Sequence, residues 1–171
     1  MANNMAVSSL KSNLTNPQRT YTWNMIIPNP IGGGDTETLM LRCQSTSIPA
    51  KTIGQILVPY KQSAGVEFHG KLGYTHTWTC TIIEGEDRKV FDSMYAWHQN
   101  IVHDVDNVGM GDIAIKSDIV LQMLSTKGEE TMRIKLIGCF PTSLGEVQLA
   151  YSDENVVNYA CTFSFDSWER V

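Results

Sequence analysis

The sequence predicts a mainly β fold: an antiparallel β-sandwich or barrel with one packed α-helix, an extended loop and an N-terminal arm. Three observations carry that expectation. Val157, Tyr159, Cys161, Phe163 and Phe165 alternate with Asn158, Ala160, Thr162, Ser164 and Asp166, the period-two pattern of a half-buried strand. Tyr74, His76, Trp78, Cys80 and Ile82 alternate with Thr75, Thr77, Thr79 and Thr81, and these are the aromatic and β-branched types that strands favour. Val90, Phe91, Met94, Trp97, His98, Ile101 and Val102 recur at spacings of three and four, which makes the apolar stripe of one amphipathic helix. A one-residue slip in either strand would turn its apolar set to water, so register is strongly specified. Trp78, Phe91, Trp97, Phe163 and Phe165 are the candidate core.

The remaining elements follow in chain order. Residues 1–19 are polar, rich in Asn and Ser and without a hydrophobic period, so they read as an arm on a single domain at 20–171. Tyr21, Trp23, Met25 and Ile27 form a strand that stops at the turn Pro28-Asn29-Pro30-Ile31-Gly32-Gly33-Gly34-Asp35. A second strand is expected from Glu37 to Ser45, with Leu39, Leu41 and Cys43 on one face. Pro49 sits at a strand end, where a missing N–H costs least. Ile53 to Gly73 is interrupted by Pro59, Gly65, Gly70 and Gly73 and reads as a projecting hairpin or long loop, a kind of segment usually kept for contact.

Asp87 is placed to cap the helix, with Arg88, Lys89, Asp92, Gln99 and Asn100 facing outward. Asp104 to Asp112 is a loop, Ile113 to Ile115 and Asp118 to Leu124 are strand-like, and Lys127-Gly128-Glu129-Glu130 is a turn. Thr131 to Gly138 is a further strand, and Phe140-Pro141-Thr142-Ser143-Leu144-Gly145 is a corner that leads into an alternating run with Val147 and Leu149. Antiparallel hairpins connect most of these.

Composition excludes several functions. Charged residues make up 18% of the 171 residues, below the usual quarter, which leaves neutral surface for subunit contacts. Net charge is −5 and the longest basic pair is Arg88-Lys89, against the clustered Lys and Arg of sequence-independent DNA binding. An acidic surface instead repels a passing polyanion, with screening over roughly 8 Å at physiological salt. No run approaches the ~20 apolar residues of a membrane span. The first residues lack the basic cluster and apolar core of a signal peptide, so a soluble protein made in a cytosol is expected. Cys43, Cys80, Cys139 and Cys161 are scattered singly in strand-like runs, the pattern of buried free thiols and not of a zinc or redox motif, with later oxidation to disulfides open outside a reducing cytosol.

Nor does the chain carry recognisable catalytic chemistry. His69, His76, His98 and His103 lack ligand spacing on one face. Asp104 to Gly109 resembles the start of a calcium loop, but Val108 stands where an oxygen ligand is needed and Ile115 where the loop needs Glu. Gly32-Gly33-Gly34 has no downstream Gly-Lys-Ser/Thr and Gly109-Met110-Gly111 no third glycine. No Gly-x-Ser-x-Gly elbow occurs. The expectation is a protein without catalytic residues, metal or cofactor.

Three blocks carry a family resemblance. Phe140-Pro141-Thr142-Ser143-Leu144-Gly145, Val147, Leu149, Thr162-Phe163-Ser164-Phe165 and Trp168 resemble the C-terminal signature of the tail tube proteins of contractile-tailed phages. Leu41 to Ile53 resembles that family's Arg-Cys-acid-Ser-x-Ser-Leu-Pro-Gly-Arg-x-Ile pattern, departing at Gln44, Ile48 and Ala50-Lys51. Tyr74 to Ile101 has the family's order of strand, short turn and helix.

The resemblance implies hexameric rings stacked into the inner tube of a contractile tail, with DNA passing through the lumen on ejection. Partners are then other copies of the chain, the tail sheath outside, baseplate and tube-terminator proteins at the ends, and the tape measure protein and transiting DNA inside. Localisation is the virion tail, after assembly in the bacterial host cytoplasm. Glu37, Glu129, Glu130, Glu146, Asp153 and Glu154 lie on or beside predicted strands and are the expected lumen-facing acids. Ile48, Pro49, Lys51, Tyr60, Lys61 and Phe68 mark the expected ring-stacking segment, with residues 1–19 joining them. Rival readings are a baseplate tube initiator or the tube of a related injection or secretion particle, a small-ligand-binding β-barrel, and a hydrolase.

Overall fold

A computed structural model of the chain describes residues 7–14, 16–28, 30–61, 63–109, 111, 113–152 and 154–171. In chain order the elements are α1 (Val7–Leu14), β1 (Trp23–Ile26), α2 (Thr36–Arg42), β2 (Cys43–Thr46), β3 (Lys51–Tyr60), β4 (Ser63–Tyr74), β5 (Thr77–Ile83), α3 (Lys89–Ile101), β6 (Ser117–Leu124), β7 (Glu130–Leu144), β8 (Asn158–Ser164) and β9 (Ser167–Arg170). The mainly β, antiparallel prediction holds. Seven strands form one path, β1-β6-β7-β8-β5-β2, with β9 added on β7, and β3 pairs only with β4.

The path turns on β7, whose first half pairs with β6 and β9 and whose second half pairs with β8. The bend sits at Gly138, which has φ +69 and packs against the Asp166 carboxylate. Only glycine takes that backbone geometry cheaply. Two sheet layers result: β1-β6-β7-β9 and β7-β8-β5-β2. The barrel is not closed, because β1 and β2, the two ends of the path, are unpaired with each other and line a common cleft.

Between the layers lies one core. Trp78, Phe163 and Phe165 are buried as expected, and Trp97 joins them from α3, its ring edge-on to Phe163 at 5.9 Å. Cys161, Phe163 and Phe165 point inward while Thr162 and Ser164 stay partly exposed, so the predicted register of β8 is the observed one. Phe91 does not join the core. It is half-buried and stacks on Tyr95 at 5.7 Å, because the buried stripe of α3 is Val90, Met94 and Trp97 and Phe91 lies about 100° around the helix from Val90.

Several local expectations are overturned. The predicted strand from Glu37 is helix α2 followed by β2: the Asp35 carboxylate accepts from the backbone N–H of Glu37 and Thr38 at 3.1 and 3.4 Å, satisfying two orphan donors of a helix start. Leu39 is therefore buried while Leu41, about 200° around the helix, is exposed. Asp87 does not cap α3. Glu84 does, accepting from Val90 and Phe91 N–H at 3.3 and 2.6 Å, while Asp87 clamps Arg42 with two hydrogen bonds of 2.7 Å. Among the described residues there are thus three helices, not one, and residues 7–14 of the predicted arm are α1.

Ile113 to Ile115 is a turn, with Ala114 N–H donating to Gly111 O at 2.8 Å. Phe140 to Leu144 of the predicted corner is instead the last part of β7, and Gly145, Val147 and Leu149 lie in a loop between β7 and β8. The Tyr74 to Ile82 alternation is cut at His76, whose φ of +53 ends one strand and begins another.

The Arg42–Asp87 clamp ties α2 to the turn before α3. Hydrogen bonding from Arg42 holds the Asp87 carboxyl at about 2, below the usual ~3.9. A depressed carboxyl stabilises the folded state above its unfolded value and loses that contribution as pH falls through its folded value. Asp87→Asn is expected to flatten the fall in thermal stability between about pH 4 and pH 2, an effect kept small by solvent screening of an exposed pair. Melting curves of both proteins across that range check it.

Candidate assembly surfaces

The most unusual surface is the β3–β4 hairpin. Its strands span ten and twelve residues, far longer than the predicted interruptions allow, because the glycines sit where the ladder needs them: Gly70 faces Gly54 so closely that a Cβ would meet backbone at 2.9 Å, at a bulge between Ile53 and Gln55. All of β3 is exposed. Ile56 stands opposite Phe68 and Val58 opposite Val66, and two-residue spacing puts all four on one face. Ile56 is 53% and Phe68 55% exposed. An isolated two-stranded hairpin is marginally stable in water, and a contiguous apolar face on it marks a contact surface.

Among the described residues, the ring contacts that tie the hairpin to its own domain lie at its root. Tyr74 meets Phe165 and Trp168 edge-on, each at 6.5 Å, and the Lys51 ammonium lies 5.6 Å from the Tyr74 ring centre and 5.1 Å from that of Trp168, within cation–π range. His76 Nδ1 is 3.0 Å from Phe165 O. Of the six residues expected to stack rings, Tyr60, Lys61 and Phe68 lie on the exposed shaft and tip, Ile48 is exposed before it, and Lys51 is at the root. Pro49 is buried. Sequence reading missed Ile56, Val58 and Val66 as one face with Phe68; the signal was their alternation on both sides of Lys61.

The expected lumen acids are dispersed. Glu37 is in the first turn of α2, Glu129 and Glu130 lie at the β6–β7 turn, and Glu146 and Glu154 flank the β7–β8 loop. Asp153 lies outside the described residues. Glu130 pairs with Arg133 at 2.7 Å. All five described acids are exposed.

Among the described residues, no group of three His, Cys, Asp or Glu side chains is placed to hold a metal. Asp104 accepts from the Tyr95 hydroxyl of α3 at 2.9 Å and Asp106 lies 3.0 Å from His103 Nδ1, so both would-be calcium ligands are already engaged by neighbouring side chains. The four cysteines are free thiols. The Cys161 and Cys43 thiols, together with burial, push Cys80 well up, and burial pushes Cys139 up to about 12. Reactive cysteines show the opposite displacement, the direction in which a hydrogen bond with the Cys80 thiol moves Cys43. Burial lowers His98. Two clefts border β1 and β2, of about 210 and 470 Å³.

The free edges complete the description. Among the described residues, β1 pairs only with β6, β2 only with β5, and Phe140–Leu144 of β7 only with β8. Each leaves a row of backbone donors and acceptors open to another chain.

Residues 5–171 match the phage tail tube protein family. The chain belongs to that family. The tail tube protein gp19 of Enterobacteria phage T4 is 24% identical over 136 residues, covering 78% of this chain and 82% of the relative; its counterpart in Enterobacteria phage T6 is 23% identical over the same shares. In fold the chain is similar to a chain of the sheath–tube complex of an extracellular contractile injection system in its extended state, with TM-score 0.65, 16% identity and 98% of each chain covered. It is also similar to a chain of the tube-terminating cap of the anti-feeding prophage, with TM-score 0.67, 16% identity and 91% of each chain covered. Family membership makes this a tail tube protein, a structural component of a phage-type tail. No helix among the described residues is long and apolar enough to cross a membrane.

Proposed function

We propose that the protein forms closed rings, six subunits by family resemblance, which stack into the inner tube of a contractile tail and conduct DNA through the lumen. Its action is mechanical and electrostatic, without catalysis. The observation that carries this reading is the hairpin: Ile56, Val58, Val66 and Phe68 lie on one exposed face of a segment whose ring contacts with its own domain lie at the root. Ordering costs ~1–2 kcal/mol per residue, and contacts with other copies offset it. Free edges on β1, β2 and β7 support lateral pairing, which in a closed ring leaves none open.

In this reading 20–171 is one ring-forming domain and 1–19 an arm to the next ring. Sheath packs outside, baseplate and terminator proteins cover the ends, and tape measure protein and DNA occupy the bore in turn. Assembly takes place in the host cytoplasm. Glu37, Glu129, Glu130, Glu146, Asp153 and Glu154 remain the acids assigned to the bore, with Glu146 and Glu154 in the loop between β7 and β8.

Purified protein at moderate concentration is expected to scatter light as polymers and to show rings or tubes by negative-stain microscopy. A strictly monomeric, ligand-bound species would overturn the reading. Deleting residues 1–15 should leave a subunit with an unchanged melting curve that stacks poorly; long tubes from the truncated chain would show the arm to be dispensable.

A further inference from the structure

We infer that Cys43 and Cys80 form an oxidation site: Cys43 captures a small-molecule disulfide through the cleft beside it, and Cys80 displaces the captured half to leave a Cys43–Cys80 crosslink at the base of the projecting hairpin. This chemistry belongs to the single subunit and is independent of whether rings form.

Three neighbouring strands bring the thiols together. Cys161 on β8 stands directly opposite Cys80 on β5. The other side of β5 pairs with β2, which sets Cys43 opposite Ile82 and Thr46 opposite Cys80. Cys80 and Ile82 are buried in the core, and Cys43 packs against that same core. β2 is irregular between Cys43 and Ser45, and a bulge re-aims the side chain beside it. The Cys80 thiol is hydrogen-bonded to both Cys43 and Cys161, so the three sulfurs form one row. Cys139 stands apart on β7, opposite Ser117.

Access falls along the row. Cys43 is half-buried, while Cys80 is 2% and Cys161 1% exposed. Cys43 lies in the wall of the cleft of about 470 Å³ between β1 and β2, with Tyr21, Met40 and Gln44 beside it. A small disulfide therefore meets Cys43 first.

The thiolate is the attacking form of cysteine, and the hydrogen bond with Cys80 holds the Cys43 thiol below its ordinary value. Cys43 Sγ bonds one sulfur of the incoming disulfide, the small disulfide's S–S bond breaks, and the other half leaves as a thiolate that takes up a proton. The Cys80 thiol then loses its proton and attacks Cys43 Sγ; the mixed disulfide breaks and the second half leaves as a thiol. Two protein thiols are oxidised and one small disulfide is reduced to two small thiols. Cys161 and Cys43 together hold the Cys80 thiol up, and the part due to Cys43 goes once that sulfur is bonded and uncharged.

The whole β3–β4 hairpin lies between the two cysteines in sequence. The crosslink thus closes that excursion at its base, and it fastens β2, a strand of four residues paired only with β5 among the described residues. Closing such a loop stabilises by restricting the unfolded chain. A reducing cytosol keeps thiols free, so the crosslink belongs to protein that has left it.

The test treats the whole chain, freshly reduced and below the concentration at which it scatters light, with oxidised glutathione in the absence of denaturant. Remaining thiols are alkylated and the digested peptides mapped by mass spectrometry. Peptides joined through Cys43 and Cys80 are expected, with Cys139 alkylated. Cys80→Ala should stop at glutathione held on Cys43, Cys43→Ser should leave Cys80, Cys139 and Cys161 unreacted, and Cys161→Ala should still form the crosslink. The crosslinked protein should melt about 5–15 °C above the reduced one and return to the lower temperature on reduction. If Cys80→Ala fails to fold, the peptide map of the unaltered chain decides alone. An unreacted Cys43, glutathione that stays on Cys43 in the unaltered chain, a Cys80–Cys161 pair or a crosslink between two chains each overturns the inference. An unmoved melting temperature overturns the fastening of the hairpin base. All of these results leave the tube reading intact.

Discussion

Replacing Trp97 by Ala is expected to remove most of the protein's folding free energy. Trp97 is fully buried, its ring stands edge-on to Phe163, and its indole N–H donates to Ile115 O at 2.9 Å. Truncating a buried Trp costs about 3–5 kcal/mol in transfer and cavity terms. The stranded Ile115 carbonyl adds ~1–3 kcal/mol where water cannot reach it. Against a total of ~5–15 kcal/mol for an ordinary domain, little remains. Phe91→Ala is the control: the ring is half-buried, between Tyr95 and Tyr159 at 5.7 and 5.8 Å, and should cost only about 1–2 kcal/mol. His98→Ala and His103→Ala are expected to stay within about 1 kcal/mol and to assemble normally. Urea denaturation of the four variants decides this. Equal losses for Trp97→Ala and Phe91→Ala would show the core boundary on α3 to be misplaced, and a histidine variant that folds yet loses a measurable activity would point to an enzyme.

Phe68→Asp should do the reverse, leaving the subunit folded and abolishing assembly. Phe68 is exposed on the hairpin and packs against no core residue, so a substitution there changes folding by about ±0.5 kcal/mol. Burying such a ring between subunits contributes ~1.5–3 kcal/mol, equal to roughly a 10- to 150-fold change in the concentration at which contacts form. Desolvating the new carboxylate adds to that loss. Thermal melting should match the parent within error while light scattering shows no polymers at concentrations tenfold above the parent's threshold. Tubes at the parent's threshold would remove the hairpin from the assembly contacts. Val58→Asp, on the same face, should behave alike.

The two experiments divide the molecule along the line where sequence reading succeeded and failed. Strands β5 and β8 were legible because an uninterrupted alternation admits one register, and helix α3 because Val90, Met94 and Trp97 recur at spacings of three and four on one stripe. Leu39, Leu41 and Cys43 misled because apolar residues two apart fit a strand and also straddle opposite sides of a short helix. The choice was made by Asp35, whose carboxylate satisfies two backbone donors. Glu84 was missed as the cap of α3 because it lies at the end of β5, beyond the span of a local capping motif. Phe140 to Gly145 read as a corner because Pro and Gly punctuate chains, yet the turning point is Gly138, whose φ of +69 is a property of the folded backbone.

The assembly surfaces show the same division. The sequence by itself determined a mainly antiparallel β protein with an amphipathic helix, a projecting segment, no catalytic motif and the family's three blocks, since periodicity and motif order are local properties of the chain. Only the tertiary structure decided that Ile56, Val58, Val66 and Phe68 share a face, that Lys51 is held over Tyr74 and Trp168, that Phe91 is left outside the core, and that Cys43, Cys80 and Cys161 lie on three neighbouring strands. Each of these depends on which strand lies beside which. Pairing joins residues as far apart in sequence as Thr79 and Thr162, and the energy that selects it comes from the shared core behind them and not from either strand alone.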